Sequence, residues 1–216
     1  MRSHAILTGD LIGSTKVRAA EVDHAMSVLG AAAGTLGDWV AADTRFTRFR
    51  GDGWQIYLAS PGPAFRACLY LTARMKAAGC QLETRISVGL GPVERLGTAD
   101  LSDASGPAFT SSGHGLDDMP RANRLAISGA KWLDGFFSGI YSQAEFQARR
   151  WSREQAEAIT LALEMGRKNT RPTLEDLSGP LGISRQALQA RLNSAGYHAL
   201  TRTLDAFERY DYSIED

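Results

Sequence analysis

Only two cysteines, Cys68 and Cys80, occur in 216 residues. Neither belongs to a Cys-x-x-Cys or Cys/His cluster, which argues against a zinc site or a disulfide framework. Cys68 lies on the apolar face of a helical run, so both thiols read as reduced packing residues. No uncharged stretch is long enough to span a bilayer. Asp10 interrupts the N-terminal apolar segment before it reaches signal-peptide length, and a cytoplasmic protein without membrane contact is expected. Neither sign of charge is in excess: 24 Lys and Arg against 24 Asp and Glu leave a formal net charge of zero. Any nucleic-acid contact must therefore be local, because whole-chain attraction to phosphates is absent. Repeats and low-complexity tracts are missing too. The 44% apolar share excludes disorder, and the length allows one domain of typical size plus a small appendage.

Two aspartates stand out, each at the exit of a short apolar run. Asp10 ends Ala5-Ile6-Leu7-Thr8-Gly9-Asp10 and is followed by Leu11-Ile12-Gly13-Ser14-Thr15. The run predicts a buried strand, and the Gly-Ser-Thr turn frees backbone N–H groups for phosphate oxygens. Asp52 sits in Phe49-Arg50-Gly51-Asp52-Gly53-Trp54, which predicts a hairpin tip between strands Phe46 to Arg50 and Gln55 to Leu58. If these strands share a sheet, the two carboxylates converge at one end of it. Hard oxygen ligands suit magnesium, which keeps several waters and shares a substrate's phosphates. Singly, Asp10 also fits a helix cap and Asp52 a turn residue.

Between Ala5 and Gly89 the order strand, helix, hairpin, helix, strand is legible. One helix spans about Glu21 to Thr35 and another about Pro63 to Ala78, each with an apolar stripe and a glycine just beyond. The β-α-β-β-α-β order is the ferredoxin-like pattern, with an antiparallel-rich sheet and helices expected on one face. Pro92 to Pro120 reads as a functional loop and a weak helix, since Gly113 and Gly115 each cost a helix interior about 1 kcal/mol. Such a segment is expected to order with a ligand or partner. Asn123 to Ser128 follows as a last strand and Lys131 to Arg150 as a connecting helix. The predicted boundary separates residues 1–149 from 150–216. From Ser152, a plausible N-cap with Gln155 at its third position, everything reads as helix. Ile159, Leu161, Ala162 and Met165 give the first of these helices its apolar side. Thr173 to Leu181, the Gly182-Ile183-Ser184 turn and Arg185 to Asn193 match a helix-turn-helix pattern.

The strand segment Arg85-Ile86-Ser87-Val88-Gly89-Leu90-Gly91-Pro92-Val93, with the two aspartates before it, resembles the signature of class III nucleotidyl cyclase domains. That resemblance implies a metal set of Asp10, Leu11 and Asp52 and phosphate contacts from Gly13, Ser14 and Thr15. It places Arg48 where the family has a base-selecting lysine and Asp103 where it has a base-selecting aspartate. It also implies a homodimer, because class III sites form across a subunit interface. Thr110 and His114 stand where the family uses an asparagine for the ribose and an arginine for the transition-state phosphate. A hydroxyl cannot present an amide's donor and acceptor together, and imidazole lacks a permanent fork of charge. Metal and nucleotide binding are thus expected without efficient cyclisation. The Gly106-Pro107-Ala108-Phe109 helix start, and Trp151-Ser152 with Gln155 and Glu157 before the helix-turn-helix, resemble the SatD family.

The expected fold class is α+β, a ferredoxin-like, cyclase-like palm followed by a small all-helical helix-turn-helix domain. The expected function is that of a regulator: a nucleotide and magnesium at the palm, and DNA at Arg185, Gln186 and Gln189, residue types that reach base edges. The segment after Arg150 is not basic, and Gly179-Pro180 interrupts the first helix of the motif. A dimerisation or partner-binding module therefore stays open beside DNA binding, and a magnesium-dependent enzyme acting on a nucleoside triphosphate stays open beside the regulator. Asp103, His114, Lys16, Arg18 and Arg50 each also fit a plain solvent-facing role.

Overall fold

The structure, a computed structural model, describes residues 3–129, 134–166 and 172–212. Its strands are β1 (His4–Leu11), β2 (Phe46–Phe49), β3 (Gly53–Leu58), β4 (Thr84–Gly91) and β5 (Leu125–Ser128). Its helices are α1 (Ala19–Val40), α2 (Ala64–Ala77), α3 (Pro107–Asp117), α4 (Asp134–Ala148), α5 (Arg153–Met165), α6 (Leu174–Leu181), α7 (Arg185–Ser194) and α8 (Tyr197–Arg209). The expected β-α-β-β-α-β succession is present, in a mixed α+β chain with one five-stranded sheet of order β2-β3-β1-β4-β5. Only the β4–β5 pair is parallel.

Both faces of the sheet are covered, contrary to the expectation of helices on one face. Side chains alternate across a strand. Ala5, Leu7 and Leu11 of β1 accordingly join the main core with α1 and α2, while Ile6 belongs to a second cluster with Tyr57, Leu101 and Ala108. This second side is roofed by α3 and by the loop before it, whose Leu101 N–H donates to Thr47 Oγ1 at 2.8 Å. Helix α3 lies unusually near β4. A Cβ on Gly89 would run into the Ala108 carbonyl oxygen and the Ser112 amide nitrogen, and one on Gly115 into Ser87 Oγ. Gly115, which sequence propensity alone counts as helix-weakening, is what lets α3 dock.

Helix α1 outruns its expected end at Thr35 because its apolar stripe continues. Leu36 is buried, and Trp39 packs on Tyr70 with ring centroids 4.7 Å apart. The start of the fourth expected helix at Lys131 lies outside the described residues, as does the side chain of Met165. Ser152 and Gln155 form the expected capping box: Gln155 N–H donates to Ser152 Oγ at 3.2 Å, and Ser152 N–H to Gln155 Oε1 at 2.8 Å. Pro180 falls in the last turn of α6, which ends at Gly182 in the left-handed region. Its missing N–H removes one i to i−4 hydrogen bond from that turn, yet the helix continues through it to Leu181.

One hydrophobic cluster crosses the 149/150 boundary, running from Ala5 to Phe207. Phe207 of α8 stacks on Phe65 of α2 at 4.7 Å. Arg66 Nε donates to Glu208 Oε1 at 2.7 Å, and Tyr70 donates its hydroxyl to Glu164. Trp151 Nε1 donates to the Ala195 carbonyl at 3.0 Å. The C-terminal helices share the core of the N-terminal part.

Candidate functional site

Strand register builds the site. Asp10 lies directly across β3 from Gly53 and directly across β4 from Arg85. Asp52, the residue before Gly53, is therefore Asp10's neighbour at the same end of the sheet. The backbone fastens the two strand ends, with Leu11 N–H donating to the Asp52 carbonyl at 3.1 Å and Ile12 N–H to the Glu83 carbonyl at 2.8 Å. The hairpin tip bends through Arg50 and Gly51, with φ of 49° and 86°. After Leu11 the chain turns at Gly13, whose φ of 77° is a left-handed conformation that glycine adopts freely, into a short 3-10 turn, Ser14–Lys16.

Each carboxylate has a partner. Arg85 grips Asp10 with two parallel hydrogen bonds, Nε to Oδ1 at 2.9 Å and Nη2 to Oδ2. Such charge-assisted forks are the stronger kind of ion pair. The Asp10 bond, aided by the Asp10 and Asp117 charges, holds the Arg85 pKa above its usual value against burial. Ser14 donates its hydroxyl to Asp52 Oδ2. The sequence assigns Arg85 itself no contact, although its segment carries the cyclase resemblance; a charged residue opening an apolar run is the available signal. Beneath α3 a polar layer continues from Asp10: Thr8 and Ser112 hydroxyls share a 2.7 Å hydrogen bond, and Gln55 Nε2 donates to Thr8 at 3.1 Å.

The other predicted residues lie around this pair rather than in it. Arg48 is level with Trp54 and Gly9 in the sheet, so it points to the α1 side, away from Asp10. There it pairs with Asp23 at 2.8 Å and donates to the Gly51 carbonyl at 2.7 Å. Arg18 pairs with Glu21 at 2.9 Å; Lys16 and Thr15 are exposed. Asp103 closes its own loop, accepting Thr98 N–H at 3.1 Å, while its carbonyl accepts from Arg95 at 2.6 Å. Thr110 and His114 are exposed one turn apart on α3. Among the described residues no hydrogen bond or ion pair joins Asp103, Thr110 or His114 to Asp10 or Asp52. Arg185, Gln186 and Gln189 are exposed on α7, and Arg185 lies 3.5 Å from Glu175 of α6.

The donor set at the Asp10 end is all oxygen: two carboxylates and the carbonyl of Leu11. Carboxylate oxygens have lone pairs beyond those that Arg85 and Ser14 occupy, so the residues fit magnesium with waters completing its shell. No group of three or more His, Cys, Asp and Glu side chains gathers into a metal cage among the described residues. A metal here would need water or phosphate oxygens as well.

No protein-family model matches the chain, and no curated protein does. Among solved structures the chain is similar to the crystal structure of the guanylyl cyclase Cya2, at 18% sequence identity, over 59% of this chain and 75% of that one, with a TM-score of 0.38. No helix among the described residues is long and apolar enough to cross a membrane.

Proposed function

We propose that the Asp10–Asp52 end of the sheet binds a nucleotide through its phosphates and a magnesium ion, and that the protein acts as a nucleotide-responsive regulator. The observation that carries this reading is the register: Asp52 precedes the residue opposite Asp10, which brings the two acidic residues to the same end of the sheet. Magnesium would be held by Asp10, Asp52 and the Leu11 carbonyl, and when bound it supplies charge that lets an anionic phosphate approach two carboxylates. Ser14 fixes the Asp52 carboxylate, Arg85 orients Asp10, and exposed Lys16 adds a cation beside the Gly13 turn. Efficient cyclisation is not part of the proposal, since Thr110 and His114 supply neither the amide nor the fixed charge such chemistry uses.

Calorimetry of ATP and GTP with and without magnesium tests the reading. Binding should require the metal and be lost in both Asp10→Ala and Asp52→Ala. Variants that bind like the wild type refute the shared site.

A second reading, DNA contact by a homodimer through α7, is favoured by one observation, the exposure of Arg185, Gln186 and Gln189 on its first turns. The cytoplasmic setting belongs to the same regulatory proposal.

A further inference from the structure

A cavity of about 220 Å³ opens on the α1 and α2 side of the sheet, between α2, α4 and the starts of β4 and β5. It is separate from the Asp10 carboxylate, which points to the α3 side. Its floor is apolar, made by Met75, Leu82, Leu125 and Ala148, all buried. Its mouth is charged, with Lys76, Arg124 and Arg149 against Glu83 and Glu145, one cation in excess.

The ion pairs show which cation is unspent. Arg124 Nε donates to Glu83 at 2.9 Å. Glu145 is buried, accepts Leu125 N–H at 3.1 Å and lies 3.7 Å from Arg149. Lys76 is left: its Nζ donates to the Arg149 carbonyl at 2.8 Å, and among the described residues no carboxylate forms an ion pair with it. An ammonium carries three donors, so two remain for a ligand. Burial depresses the Lys76 pKa, with Glu83 opposing and Arg149 assisting, as expected of a half-desolvated cation awaiting an anion.

We infer that this cavity binds a small organic monocarboxylate, with the carboxylate on Lys76 and a short hydrocarbon body against Met75, Leu82 and Leu125. One excess cation balances a monoanion and leaves a phosphate dianion uncompensated. The volume holds roughly seven water-sized groups, the size of a short-chain or single-ring acid.

Cys80 gives a direct readout. It lines the cavity and is half-buried, whereas the other cysteine, Cys68, is fully buried. Hexanoate and benzoate at millimolar concentration should slow modification of Cys80 by a thiol reagent in the full-length protein. Hexanamide and benzamide, equal in shape but neutral, should not. Lys76→Met should weaken the protecting carboxylate by about tenfold or more, the worth of a charged hydrogen bond. Carboxylates that protect no better than their amides in the wild type overturn the proposal without recourse to a variant. So does a folded Lys76→Met protein protected as well as the wild type.

Discussion

Removing the cation that grips Asp10 should tighten magnesium binding. In Arg85→Met the bidentate partner of Asp10 is lost while the side-chain length is nearly kept. Unit charges about 4 Å apart near a protein surface interact by about 4 kcal/mol, and a divalent ion beside Asp10 would feel twice the charge. Two effects reduce that repulsion. The Arg85 and Asp10 side chains are 25% and 28% exposed, so solvent screens them, and Asp10 loses the fork that orients it. A net tightening of about 1–2 kcal/mol remains, roughly five- to thirtyfold in Kd. The metal-free variant should be less stable by a similar amount, about 1–2 kcal/mol, because Asp10 loses its bidentate partner. Magnesium should therefore raise the denaturation midpoint of the variant more than that of the wild type. Calorimetry with magnesium alone and denaturant titration at two magnesium concentrations measure both quantities. Equal or weaker magnesium binding by a folded Arg85→Met protein would refute the placement of a cation at Asp10.

Two further outcomes probe the scaffold. Gly89→Ala puts a methyl group against the backbone of α3 and should cost about 1–3 kcal/mol in denaturant unfolding, while Gly113→Ala, with nothing within 4 Å of the new Cβ, should gain roughly 0.5–1 kcal/mol; equal effects would contradict the close docking of α3 on β4. Arg66→Leu removes the guanidinium from an ion pair whose side chains are only 5% and 17% exposed and should lose about 3–5 kcal/mol, with Arg66→Leu/Glu208→Leu recovering most of it; additive losses in that double variant would show the pair to be uncoupled.

Much of this architecture is legible in local sequence because the signals are local. The stripe of α2 ends before Gly79, the capping box at Ser152 needs only its own turn, and the hairpin around Gly51 announces itself by its composition. What escapes is set by register. Arg48 and Arg50 look equally placed to meet phosphate, yet pairing with β3 turns Arg48 toward Asp23 of α1. Arg85 looks like an ordinary strand opening until β1 and β4 align it with Asp10. The same holds for Gly89 and Gly115, whose purpose appears only when a helix from another part of the chain lies across the strand. The nearness of Asp10 and Asp52 follows from their apolar-run exits, but the partner that each already holds does not.

The C-terminal helices show how burial and charge pull apart two readings of one motif. Helix α7 has only two basic residues, and both face acids: Arg185 lies 3.5 Å from Glu175 and Arg191 3.9 Å from Glu157. The exposed Arg185 pair is worth about 0–1 kcal/mol, so Arg185 is not locked, while Arg191 is half-buried in its longer pair. The difficulty is the field they sit in. A phosphate approaching α7 meets Glu175 and Asp176, and Asp176 is fixed by its reciprocal cap with Thr173. Releasing counterions requires cations that the duplex can neutralise, and one such helix per chain offers few, so DNA affinity through α7 demands a second copy on a neighbouring half-site. Partner binding makes no such demand. Leu188 and Leu192 already fix the inner side of α7 in the core, and the outer side is polar, uncharged over Gln186 and Gln189, and presented on a rigid support that Arg66, Glu208 and the Phe65–Phe207 stack tie to the sheet.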